Sequence, residues 1–151
     1  MTSRAGIAVA VGSVLLLCGC ANVTAVDMDA AQRWVDAAAS TAVDDAGFAG
    51  SAVLDVGPED TESSVVRMDF AASVRLSRIE TACYGSDREA VTANVSVTLV
   101  TSHGEGTPII REVRCDAEPH SVDVNGLVVD GVVVEAVAST RTYLRATAFT
   151  A

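Results

Sequence analysis

The chain has 151 residues, half of them apolar, which suits one domain with a real core. Twenty acidic residues stand against ten basic ones, all of them arginine, for a net charge of −10. A surface that acidic repels phosphate backbones and anionic headgroups, which argues against nucleic-acid binding and against a domain lying flat on lipid.

The N-terminus reads as a secretory signal. Arg4 is the only charge before an apolar run over residues 5–17, too short for the roughly 20 residues of a comfortable membrane span. The run ends in Leu17-Cys18-Gly19-Cys20. That quartet resembles the lipobox of bacterial lipoproteins. The resemblance implies cleavage before Cys20, removal of residues 1–19, and a fatty-acyl anchor such as palmitate on the Cys20 thiol. It also implies a place on the extracytoplasmic face of the cell membrane. Cys18 is the alternative acceptor, but it would put Leu17 where a small residue belongs. An uncleaved N-terminal anchor helix is the other alternative.

Residues 20–49 read as a short lipidated tether followed by one helix. Asp29 with Gln32 three residues later has the form of a capping box. Ala31, Trp34, Val35, Ala38 and Ala42 share one helical face, and Gly47 and Gly50 close the segment. The stripe is mostly alanine, so docking is expected to rest on Trp34 as a core anchor.

From residue 50 to 151 the period changes to two. "SAVLDV" is a short strand, followed by the acidic loop "GPEDTESS". Val66, Met68, Phe70, Val74 and Leu76 then alternate with polar neighbours, but the inward set continues at odd numbers, Ile79, Thr81 and Cys83. That switch requires a bulge or break near Ser77-Arg78. Residues 91–99 alternate most cleanly, and 109–115 follow with Val113 and Cys115 facing inward. Asn125-Gly126 predicts a type I′ hairpin turn between two short strands. Two more alternations, at 132–138 and 144–148, complete the pattern. The fold class expected is mainly β: an antiparallel β-sandwich preceded by one N-terminal α-helix.

An exported chain whose remaining cysteines are Cys83 and Cys115 implies one disulfide between them. In a plain meander the two would flank the strand at 91–99 and lie about 9.5 Å apart, whereas bonded α-carbons sit within about 7 Å. A crossing at "YGSDRE" that puts them on facing sheets resolves the conflict. The spacing "ACYG…VTANVSVTLV…VRC…VVVEAV" over roughly residues 80–150 resembles small, uncharacterised actinobacterial lipoproteins. That resemblance implies a fold and no activity.

The chemistry-bearing residues form no defensible catalytic set. His103 in "HGEG" and His120 in "DAEPH" each have nearby carboxylates, but a metal needs three or four converging ligands. Asp123, Asn125 and Asp130 lack EF-hand spacing, and there is no Gly-x-Ser-x-Gly elbow and no phosphate cradle. No metal or cofactor is expected. Tyr143, Arg145 and Phe149 share the outward parity of the last strand. They form either an exposed strip or a face packed beneath the Trp34 helix. The main reading is a lipid-anchored extracytoplasmic binding or scaffolding domain. Its partners are the membrane, through the anchor, and an envelope protein or glycan. Two readings compete. One is an envelope enzyme or enzyme accessory, if His103 and His120 converge; the other is a carbohydrate-binding module on the Tyr143 strip.

Overall fold

The longest alternation in the sequence becomes one strand that belongs to two sheets. The computed structural model describes residues 25–58, 64–85 and 90–151; the lipobox and Cys20 lie outside them. The elements are α1 (Met28–Ala42), β1 (Phe48–Val56), β2 (Ser64–Cys83), β3 (Thr92–Thr101), β4 (Gly104–Glu105), β5 (Ile109–Arg114), β6 (His120–Asp123), β7 (Val128–Ala138) and β8 (Thr142–Thr150). The first part of β2 pairs with β7 in sheet B. Its last part, from Leu76 to Cys83, pairs with β8 and β6 in sheet A. Sheet A runs β1-β8-β2-β6, and sheet B runs β2-β7-β3 with β4 and β5 along the far edge of β3. Every pairing is antiparallel. The expected sandwich with one preceding helix is the fold.

The face switch falls where the alternation demands it. The β2–β8 register shifts between Leu76 and Arg78, and Leu76 and Ile79 are both fully buried on either side of the shift. The inward valines at positions 95, 97, 129, 132 and 134 fill the space between the sheets.

The Asn125-Gly126 expectation is half right. Both residues take positive φ, 54° and 65°, as a type I′ turn requires. The strands on either side do not pair with each other, because β6 lies in sheet A and β7 in sheet B. The turn instead straddles β2 at its crossing. Leu76 N–H donates to the Leu127 carbonyl at 3.0 Å, and Val124 N–H donates to the Ser77 carbonyl at 3.3 Å. Arg75 reaches the Gly126 carbonyl at 2.7 Å.

The helix begins earlier than the capping-box reading has it. Asp27, in extended conformation, is the N-cap, and its carboxylate accepts the Ala30 N–H at 3.0 Å. Gln32 donates to Asp36 one turn on instead of closing a box. Two further residues of helix bring Met28 against the core. Docking also differs from expectation. Ala31, Val35 and Ala42 are buried while Trp34 is only half-buried. The small side chains let α1 lie close on β8 and β1. Arg145, from β8, fastens it by donating to the Ala38 carbonyl at 2.7 Å. No helix among the described residues is long and apolar enough to cross a membrane.

Cys83 and Cys115 form the expected disulfide, with α-carbons 4.3 Å apart. Cys83 ends β2 in sheet A, and Cys115 follows β5 at the edge of sheet B, so the bond joins the two sheets. Gly85 lies directly on this link: a first side-chain carbon there would overlap the Cys115 carbonyl oxygen. Gly85→Ala should therefore force the two apart and lower stability by about 1–3 kcal/mol, the usual cost of overpacking. Urea unfolding under oxidising conditions measures this, and an unchanged midpoint would refute it.

Candidate functional site

The two histidines do not meet. His103 follows Thr101 at one end of β3, its N–H donating to the Thr101 hydroxyl at 3.2 Å. His120 pairs with Thr81 beside the disulfide, at the other end, where Cys115 N–H donates to the Val91 carbonyl at 2.9 Å. The strand between them separates the rings by on the order of 30 Å, from its rise per residue. The carboxylates beside them find other work. Asp116 accepts from the His120 ring at 3.1 Å and from Glu118 N–H at 3.1 Å, closing the loop after Cys115. Asp123 caps Asn125 N–H at 2.8 Å, and Asp130 accepts from Ser73. Among the described residues no three His, Cys, Asp or Glu side chains converge as a metal site.

The strip on β8 is covered. Phe149 is 2 % exposed, with the Arg78 guanidinium 4.0 Å above its ring. Arg145 is the helix fastener, and Thr147 between them is buried. Parity rightly places these residues on the outer face, but α1 lies across it. Of the three, Tyr143 and Arg145 stay half-exposed, and Tyr143 does not share in the helix fastening. It sits opposite Asp55 on β1, and Asp55 takes a two-pronged hydrogen bond from Arg141 at 3.1 and 2.6 Å. That bond, with Asp55's charge, raises the Arg141 pKa above its ordinary value.

Among the described residues the outer face of sheet B is bare. No element packs across it among the described residues, and Val65 and Ile110 are 58 % and 64 % exposed there. At its centre is a shallow depression of about 150 Å³. Ile110 and Val137 form apolar walls; Asn94, Ser96 and Glu135 supply an amide, a hydroxyl and a carboxylate. Ser96 is flanked by Glu135 on β7 and Ile110 on β5. None of the three polar side chains has a hydrogen-bond partner among the described residues. A concavity with apolar walls and a few polar groups that have no protein partner has the form of a ligand site. The alternation marks these residues as outward-facing. Their adjacency depends on β7 lying beside β3, which no local signal announces.

No protein-family model matches the chain, and no curated protein matches it in sequence. Among solved structures it is similar to the CBM32 of AlyQ, determined in complex with 4,5-unsaturated mannuronic acid. The identity is 11 % and the TM-score 0.46, over 67 % of this chain and 78 % of that one. It is also similar to PirA, at 12 % identity and a TM-score of 0.42, over 65 % of this chain and 92 % of that one.

The clasp beside the disulfide makes a direct prediction. Partial desolvation pushes the Asp116 carboxyl up, but the His120 ring, the Glu118 N–H and the ring's charge together hold it below its ordinary value of 3.8. His120→Ala should let that pKa rise toward the ordinary value, as read by NMR titration of the Asp116 side-chain carboxyl. The group's folded pKa is depressed. Its contribution to holding the loop is therefore present above the unfolded pKa and is lost as pH falls through the folded one, in the acid range below about pH 4. A titration that His120→Ala leaves unmoved would remove the clasp.

Proposed function

We propose that this is a lipid-anchored binding domain on the extracytoplasmic face of a membrane. It is held through Cys20 and presents the bare face of sheet B to an envelope protein or glycan. The observation that carries the reading is the inequality of the two sheets. Sheet A is roofed by α1, the element nearest the anchor. Sheet B is open and centred on three unpartnered polar groups between Ile110 and Val137. Exposed apolar side chains around a concavity favour contact with a partner. The acidic surface keeps the domain off anionic lipid, so the acyl chain does the anchoring. Binding is favoured over catalysis because the histidine pair on which an enzyme would be built is split between opposite ends of β3.

Two measurements test the two halves of this reading. A photo-crosslinking residue at position 96 in living cells should yield a discrete adduct, while one at exposed Ser40 on α1 should not. Adducts from position 40 alone, or from neither, would sink the bare-face assignment. Separately, Cys20→Ser should abolish incorporation of a fatty-acid analogue and leave unprocessed precursor. Normal labelling of that variant would pass the acceptor role to Cys18.

A further inference from the structure

The only tryptophan and both tyrosines of the chain gather at one end of sheet A, on the opposite side of the molecule from the bare face. Cys83 pairs with Leu144, facing inward, so the next residues along, Tyr84 and Tyr143, share an outward-facing row. Tyr84 N–H donates to the Tyr143 carbonyl at 3.0 Å. Tyr143 in turn sits opposite Asp55. Trp34 extends the row from α1: its ring centroid is 5.8 Å from that of Tyr84, with the planes tilted at 46°. Neighbouring strands lie about 4.8 Å apart, so these groups form one continuous surface.

We infer that this row is a binding site for a neutral pyranose, and that it is separate from the sheet B depression. Four features carry the inference. First, Trp34, Tyr84 and Tyr143 are each half-exposed, so their rings are neither sealed in the core nor swept by solvent on all sides. Second, neither phenol nor the indole N–H has a hydrogen-bond partner among the described residues, and no buried side-chain polar atom there goes unsatisfied. The three polar tips are therefore open to water, ready to exchange it for sugar hydroxyls. Third, the row ends in a carboxylate and a guanidinium already locked to each other, with side chains 42 % and 67 % exposed. Asp55 retains acceptor capacity beyond its two bonds from Arg141, and Arg141 retains free N–H groups. A fixed acceptor beside a fixed donor matches a pair of neighbouring hydroxyls. Fourth, Asp55 offsets the charge of Arg141, and the chain as a whole is strongly acidic. An anionic sugar would be repelled, whereas a neutral one loses nothing. The apolar C–H face of a pyranose lies on the rings while its hydroxyls reach the tips and the Asp55–Arg141 pair. Because Trp34 comes from α1, an occupied site also clamps the helix to the sheet.

Trp34 is the sole indole, so its emission reports this row alone. The full chain in mild detergent is titrated with mannotriose, cellotriose, maltotriose and trigalacturonic acid. At least one neutral trisaccharide should give a saturable change in emission, with trigalacturonic acid about tenfold weaker. Tyr143→Ala and Asp55→Asn should each weaken the neutral sugar by about tenfold, the factor that 1.4 kcal/mol of lost contact corresponds to. Ser96→Ala, on the other sheet, should leave it unchanged. If Tyr143→Ala lowers the melting temperature by loosening α1, the surface variant Asp55→Asn decides. The inference is overturned by the absence of saturable change with any neutral sugar, by affinity that survives Asp55→Asn, or by preference for the acidic sugar. None of these outcomes bears on the crosslink from position 96, so this site and the bare-face reading stand or fall separately.

Discussion

The passage of β2 from one sheet to the other is the constraint on which the rest depends. A strand that passes from one sheet of a sandwich to the other must either bend sharply or slip its parity to keep its apolar side inward. The chain resolves this with the shift between Leu76 and Arg78, after which Ile79, Thr81 and Cys83 replace the even-numbered residues as the buried set. A bulge leaves backbone groups without ladder partners, and the Asn125-Gly126 turn supplies partners from outside both ladders, through Leu127 and Val124. Because one turn grips the crossing, β6 and β7 are delivered to opposite sheets, and β7 is then the strand that brings β3 into sheet B. The disulfide closes the same arrangement further along: it ties the end of β2 to the strand end beyond β3.

From that topology follows the inequality between the faces. The chain enters β1 directly from α1, with Phe48 opposite Phe149, so the helix falls on sheet A and nowhere else. Its alanines permit the close approach, since a helix with large side chains would stand too far off for Arg145 to reach the Ala38 carbonyl. Sheet B receives no such cover from the described residues. Both candidate surfaces are products of this asymmetry, one where the helix is missing and the other where its first turns leave the end of sheet A half open.

Much of the fold was legible because it rests on local alternation. The strands, the slip at Ser77-Arg78 and the facing-sheet disulfide all follow from period-two patterns and from distances fixed by strand spacing. What sequence misread concerns contacts between distant segments. Asn125-Gly126 declares its backbone angles but not which strands it joins. Asp29 and Gln32 have the spacing of a capping box, yet Asp27 wins because starting there brings Met28 onto the core. Tyr143, Arg145 and Phe149 show outward parity, and parity says nothing of a helix lying across them. The Asn94–Ser96–Glu135 depression and the Trp34–Tyr84–Tyr143–Asp55 row each draw on at least two elements whose adjacency is set by the β2 crossing. No window of sequence contains them.

Exposed Val65 and Ile110 admit a plainer explanation than a partner, since β-branched residues favour strands whether or not anything covers them. That explanation accounts for the apolar residues alone. It does not account for the polar ones among them. An amide, a hydroxyl and a carboxylate stand on neighbouring strands at a depression of that face, none paired to a neighbour among the described residues. Glu135 has Val65 and Ser96 opposite it on the two strands that flank β7, so no cation stands directly across from its carboxylate. Leaving it unpaired between Ile110 and Val137 keeps its acceptor capacity for something that arrives from outside.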